Sequence, residues 1–159
     1  ITIKWPNDIY AADSKIAGLL LEHALYGNRL DYTIIGVGLN VNQTVFVSDA
    51  PNPVSLAQLA GYPFDLAALL GRLTEQIERE SLQAAGTHGR QALHRRFLAQ
   101  LYRHDGHPHP FALPDGTQFA ATIVDVGLDG MLSLKHADDA HIASYAFKQV
   151  RHVIGPHKL

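Results

Sequence analysis

The chain has 159 residues, 47% of them apolar, and a formal net charge of −2, enough apolar material for one ordinary packed domain or two small ones. It has no cysteine, which excludes a disulfide framework, a thiolate zinc site and a cysteine nucleophile and suits a reducing cytoplasm. Its thirteen Lys and Arg are scattered rather than gathered into a basic stripe, and no apolar run has the length of a membrane span or the layout of a signal peptide, so neither nucleic acid nor a membrane is an expected partner.

Ile1, Ile3 and Trp5 alternate with Thr2 and Lys4, as a strand does when one face is buried. The chain thus starts inside a sheet, at a residue that is not Met, and further residues are expected upstream. Trp5-Pro6-Asn7-Asp8 reads as a strand end passing into a turn. A second strand is expected over about Ser14 to Ala24, a turn at Gly27-Asn28, and a third strand from about Tyr32 to Asn42. A Ser-, Asp-, Pro- and Asn-rich loop between Val47 and Pro53 precedes a short helix capped by Ser55 and ending at Gly61.

Asp65 caps an amphipathic helix with Leu66, Leu69, Leu70, Leu73 and Ile77 on one face, ending near Gly86. Another helix runs from about His88 to Tyr102, with Leu93, Phe97 and Leu101 spaced four apart. Residues 105–110 carry two prolines and no periodicity, and read as a linker between a first unit, 1–104, and a second, 111–159. Beyond it, turn signals at Asp115-Gly116, Asp129-Gly130 and Asp138-Asp139 separate short strands, the spacing of a small antiparallel β-barrel. Phe119, Ile123, Met131, Leu134, Ile142, Val150 and Ile154 are its expected interior. The fold class is therefore α+β: a partial mixed sheet with flanking helices, then a small antiparallel barrel.

Strand alternation splits Gly36-Val37-Gly38-Leu39-Asn40-Val41-Asn42 into two faces. Val37, Leu39 and Val41 belong to the core; Gly36, Gly38, Asn40 and Asn42 form a face that starts as bare backbone and ends in two amides. Glycine inside a strand means close approach, either by a flat ligand or by a packed element. A dinucleotide fingerprint is excluded by the missing third glycine and by the strand continuing where a helix should open. Lys15 heads the apolar run Ile16-Ala17-Gly18-Leu19-Leu20-Leu21 and, by alternation, shares a face with Ala17 and Leu19; it is either an edge residue or a functional cation. Lys4 and Asp8 flank Trp5-Pro6-Asn7, where Asn-Asp also suits a plain turn. His104, His107 and His109 lack the spacing of a metal site and read, like Arg95-Arg96, as solvated surface, so no metal ligand is assigned.

Taken together, Lys4-Trp5-Pro6-Asn7-Asp8, Lys15-Ile16-Ala17-Gly18-Leu19-Leu20-Leu21-Glu22 and Gly36-Val37-Gly38-Leu39-Asn40-Val41-Asn42, in this order and spacing, resemble the central motifs of biotin protein ligases. The resemblance covers the first third of the chain by motif and the rest by architecture. It implies ATP-dependent formation of biotinoyl-AMP, with Mg²⁺ on the departing pyrophosphate, and transfer of biotin to a lysine of a biotin carboxyl carrier domain. It implies Lys15 at biotin's carboxylate and the adenylate phosphate, Gly18, Gly36 and Gly38 along the biotin pocket, Asn7 and Asn40 near the nucleotide, and Asp8 orienting or deprotonating the acceptor amine. A Gly- and Arg-rich loop normally lies upstream of these motifs. Its absence from these 159 residues leads to the expectation that they do not complete transfer alone, and the sheet edge left unpaired by strands expected upstream favours a homodimer. Lipoate or octanoate attachment, and a non-catalytic module that binds the acceptor domain or dimerises, are the alternatives.

Overall fold

The computed structural model describes residues 1–47, 52–84 and 86–155. Part of the expected Val47–Pro53 loop and the last residues of the chain lie outside them. Among the described residues, nine strands and three helices follow in the order β1 (Thr2–Lys4), β2 (Asp8–Ala11), β3 (Ser14–Tyr26), β4 (Arg29–Leu39), α1 (Leu56–Ala60), α2 (Leu66–Gln83), α3 (Gly86–Ala99), β5 (His109–Ala112), β6 (Gln118–Val126), β7 (Leu132–His136), β8 (Ile142–Tyr145) and β9 (Arg151–His152). The α+β class holds. The first sheet has the order β1-β2-β3-β4 with antiparallel pairing throughout. Its parallel contacts are the isolated bridges Ile3 to Leu101 and Lys15 to Pro53.

The local signals act where expected. Gly27 takes a positive φ of 60° in the turn between β3 and β4, a conformation that costs glycine little. Ser55 caps α1 through a capping box, its hydroxyl accepting from Gln58 N and the Gln58 side chain accepting from Ser55 N. Asp65 caps α2 by accepting from Ala68 N at 2.9 Å. The sequence reading missed β2, because a four-residue strand beside a turn leaves too little alternation to register.

Val37, Leu39 and Val41 do not reach a closed core. With Ile35 they face Leu66, Leu69, Leu70, Leu73 and Ile77 of α2 across a cleft of ≈ 380 Å³. Beyond Leu19, β3 and β4 run on as a two-stranded ribbon whose apolar side chains are exposed, Leu20 at 61% and Tyr32 at 57% among them. Arg96 of α3 ion-pairs with Glu80 of α2 at 2.8 Å, which ties the two helices at their solvent side.

The dense core lies elsewhere. In the second sheet, the antiparallel ladder β8-β7-β6-β5-β9 buries Phe111, Ala121, Ile123, Val126, Leu132, Leu134 and Val150 in one cluster, with Phe119 and Tyr145 packed against it. Of the expected interior, Ile123, Leu134 and Val150 are buried and Phe119 packs on the cluster. Met131 and Ile154 are half-buried and Ile142 is exposed, because β8 is an end strand with a neighbour on one side only. His109 and Pro110, expected in the linker, open β5.

Leu101 and Trp5 join this same cluster, so the first strand of one sheet is anchored in the core of the other. Ile3 pairs with the chain at Gln100 and Tyr102. The Tyr102 hydroxyl donates to Asp13, Arg103 donates to the Val153 carbonyl at 3.0 Å, and His94 of α3 bonds the Val126 carbonyl at 2.7 Å. Among the described residues, no helix is long and apolar enough to cross a membrane.

Candidate active site

The site is built where β2, β3 and β4 lie side by side. Asp8 is opposite Gly18, and Gly18 is opposite Gly38; directly opposed residues of an antiparallel pair share a face. Leu20 and Gly36, also opposed, continue that face outward. Gly18, Gly36 and Gly38 thus form a bare strip with a carboxylate at one end and apolar side chains at the other. A Cβ at Gly38 would meet the Gly18 carbonyl at 3.6 Å, and one at Gly36 would meet Leu20 at 3.6 Å. Both are ordinary contacts, so nothing within the fold packs onto these two glycines tightly enough to require them.

Lys15 is not on the face that alternation assigns to it. The register between β2 and β3 shifts at Ile9/Tyr10, so that Tyr10 lies opposite Lys15 and Ile9 opposite Ala17, with Ile16 extra. Such a bulge turns the residues before it to the other face. Ile16 and Ala17 are both buried, and Lys15 reaches over the glycine strip. Its Nζ lies 2.6 Å from Asp8 Oδ1, while Lys4 Nζ lies 3.6 Å from Asp8 Oδ2. A Cβ at Gly18 would come within 3.3 Å of Lys15 Nζ and 3.4 Å of Asp8 Oδ1, so this glycine makes the room in which the ion pair sits.

Burial pulls the Lys4 ammonium below its ordinary pKa, against the opposing pull of Asp8. Tyr10, fully buried beside them, is pushed up to about 12 by desolvation, with the Asp8 charge adding to the effect, and so stays neutral. The bulge also frees the outer edge of Lys15: its N–H donates to Asn52 O and its carbonyl accepts from Val54 N, both at 2.9 Å.

The three amides, Asn7, Asn40 and Asn42, serve the backbone first. Asn7 Nδ2 donates to the Leu19 carbonyl at 2.5 Å while Leu19 N donates back to the Asn7 carbonyl at 2.8 Å, which fastens the turn before Asp8 to β3. β4 ends at Leu39, so Asn40 and Asn42 do not continue the glycine face as alternation had them. Asn40 Nδ2 donates to Val54 O at 3.2 Å and Lys15 O at 3.4 Å, and Asn42 exchanges two bonds of 2.9 Å with the Phe64 backbone.

A recess of ≈ 350 Å³ adjoins the ion pair, with Lys4, Asn7 and Asp8 on one wall and Lys148, Arg151 and His152 on the other. Sequence reasoning missed these last three, which lie more than a hundred residues along the chain and carry no pattern of their own. His152 is 6% exposed and neither ring nitrogen has a partner among the described residues. Burial lowers its pKa to about 3, with the Lys4, Arg103 and His109 charges acting in the same direction. Of the three histidines singled out in the sequence, His104 bonds the Leu98 carbonyl at 2.9 Å, His109 pairs with Asp105 at 2.9 Å, and His107 is exposed.

Residues 1–40, which contain β1 to β4 and every one of these site groups from Lys4 to Asn40, match the model of the Biotin/lipoate A/B protein ligase family. Over these residues the chain is similar to that family. It is 40% identical over 82 residues to the Bifunctional ligase/repressor BirA of Bacillus subtilis, covering 48% of this chain and 25% of that protein. It is 36% identical over 81 residues to the Biotin--[acetyl-CoA-carboxylase] ligase of Mycobacterium tuberculosis, covering 51% and 28%. Its fold is that of the biotin protein ligase from Aquifex aeolicus, with a TM-score of 0.72 at 18% identity over 96% of this chain and 65% of that one. The same enzyme in complex with biotin and ATP gives 0.70, covering 62% of that chain. The chain thus spans between a quarter and two thirds of the length of these relatives.

Proposed function

We propose that this chain forms part of a biotin protein ligase, which joins biotin to ATP as biotinoyl-AMP and transfers the biotin to a lysine of a biotin carboxyl carrier domain. The observation that carries this reading is the bulge-directed Lys15 ammonium, set at the charged end of the Gly18–Gly38 strip. A flat bicyclic ring fits bare backbone, and a carboxylate tail fits a fixed ammonium at its end. When that carboxylate attacks the α-phosphate, negative charge grows beside Lys15, and a preplaced cation stabilises the transition state more than the ground state. The names of the relatives and the biotin and ATP complex of the Aquifex enzyme point the same way.

In this reading the recess with Lys4, Lys148 and Arg151 takes the nucleotide phosphates. Asn40, with its NH₂ group committed to backbone carbonyls, has its side-chain oxygen left to accept from the adenine amine, and Asn7 shapes the turn beside it. Both Asp8 oxygens face ammonium groups, so Asp8 suits orienting the acceptor amine better than taking its proton. Among the described residues, Asp8 is the one carboxylate lining the recess, and no group of three metal-ligating side chains is found. That donor set fits a Mg²⁺ drawing most of its ligands from phosphate and water, which would offset the pyrophosphate charge.

A division into two units just before β5, a cytoplasmic location and a homodimer formed along the exposed β4 ribbon belong to the same proposal. The apolar side chains left open on that ribbon support the dimer. The test is biotin-dependent exchange of labelled pyrophosphate into ATP, using a form that includes the upstream Gly- and Arg-rich loop, with lipoate as the competing substrate. Exchange driven by biotin alone supports the reading; exchange driven by lipoate, or none, defeats it.

A further inference from the structure

Within the Lys4–Asp8 segment, Trp5 is the side chain that enters the core of the second sheet. Lys4 and Asp8 oppose each other across β1 and β2, so Trp5-Pro6-Asn7 is the connection between them. Its two ends are fastened to different bodies. Asn7 is held to β3 by the reciprocal bonds with Leu19. Trp5 leaves the connection, is 4% exposed among Phe111, Ile123, Val126, Leu132 and Val150, and donates from Nε1 to the Gly130 carbonyl at 2.9 Å.

Gly130 sits in the β6–β7 turn, whose own geometry is tightly set. Gly130 has a φ of 81°, and its N–H donates to the Gly127 carbonyl at 2.9 Å. Met131 N donates to Asp129 Oδ1 at 3.0 Å, and a Cβ at Gly127 would lie 2.5 Å from that oxygen. A connection pinned at one end to the second sheet and at the other to β3 converts any shift between the two into a displacement of Lys4 and Asp8 relative to Lys15.

We propose that Trp5 is a positioning residue: through its indole, the β6–β7 turn sets where Lys4 and Asp8 stand against Lys15. The catalytic consequence rests on the adenylation reading above; the mechanical one does not. A purely packing role for Trp5 predicts something different. Trp5→Phe keeps an aromatic ring in the cluster and removes the indole N–H that donates to the Gly130 carbonyl. The variant therefore keeps its core and gives up the one directional tie.

The test compares wild type, Trp5→Phe and Gly127→Ala, whose Cβ displaces the Asp129 carboxylate that accepts from Met131 N while Trp5 is intact. Competitive acetylation, read by mass spectrometry, reports Lys4 and Lys15 against Lys135, an exposed lysine on β7. Acetylation of Lys4 and Lys15 is expected to rise several-fold in both variants while Lys135 stays constant. In the complete enzyme, kcat for biotin-dependent pyrophosphate exchange is expected to fall about tenfold or more, with KM for biotin within about twofold of wild type. Unchanged lysine reactivity, a rise at all three lysines alike, or raised reactivity with unchanged kcat overturns the positioning role. A wild-type enzyme that shows no exchange defeats the adenylation reading instead, and the acetylation comparison still decides whether the tie exists.

Discussion

Lys15 Nζ and Asp8 Oδ1 are 2.6 Å apart although they stand on different strands, because the bulge opposite Ile9/Tyr10 turns Lys15 onto the face that Asp8 already occupies. Both side chains remain partly exposed, and Asp8 keeps Lys4 as a second partner at 3.6 Å. Lys15→Ala therefore leaves no orphaned carboxylate, and its effect on stability is small. Its effect on biotinoyl-AMP formation is expected to be a loss of about 10²–10³ in rate. Single-turnover formation of the adenylate beside a thermal melt measures both; a wild-type rate in the alanine variant removes Lys15 from the chemistry.

The glycines separate by what a side chain would meet. At Gly38 the first contact is an ordinary 3.6 Å to a carbonyl, and valine suits a strand, so Gly38→Val is expected to fold and to bind biotin far more weakly. Gly18→Ala pushes on Lys15 Nζ and Asp8 Oδ1 directly and is expected to slow adenylation through the ion pair. Calorimetric titration with biotin, run with a melt for each variant, tells the two apart. Normal biotin affinity in Gly38→Val would mean the strip is not a pocket.

Asn40 joins the end of β4 to the segment before α1, through Val54 O and Lys15 O. Removing those bonds with Asn40→Ala is expected to lower stability by about 1–2 kcal/mol, measured as a shifted urea midpoint at unchanged slope. An unshifted midpoint would assign Asn40 wholly to ligand contact.

His152 carries a pH signature. Its pKa is about 3 in the folded chain against an ordinary value of 6.5, so between those values the unfolded chain holds a proton that the folded one does not. Stability from this group is fully present above pH 6.5 and is lost as pH falls toward 3, at a slope of up to about 1.4 kcal/mol per pH unit. Unfolding midpoints between neutral pH and about pH 4.5 should therefore fall less steeply for His152→Phe than for wild type. Equal slopes would mean that His152 gains a proton as readily folded as unfolded.

The sequence displays what is local. The Ser55 and Asp65 caps, the Gly27 turn and the heads of β1 and β3 follow from residues within a few positions of one another, and the structure has them there. What alternation cannot display is a change of register: period-two counting places Lys15 on the side of Ala17 and Leu19 because it has no term for the extra Ile16. Counting also places Asn40 and Asn42 on the glycine face, because it continues past Leu39, where β4 ends. Trp5 shows a further limit. Its neighbours come from Leu101 to Val150, and no pattern around Trp5 encodes a contact with Gly130, 125 residues away.

The pairing of β3 has a consequence for how the amides breathe. Up to Leu19 the strand is bonded on one edge to β2 and the Asn7 carbonyl and, from Ala17, on the other to β4; from Leu20 onward β4 is its only described neighbour. Exchange of backbone hydrogens for deuterium should therefore show a step, slow from Ile16 to Leu19 and fast from Leu20 through the Gly27 turn to Leu30, as the ribbon frays from its tip. The slow segment carries Gly18 and begins one residue after Lys15. The strand would thus exchange last where the ion pair stands and first where it meets water, and a distant loosening of the ribbon would leave the spacing of Lys15, Gly18 and Asp8 undisturbed.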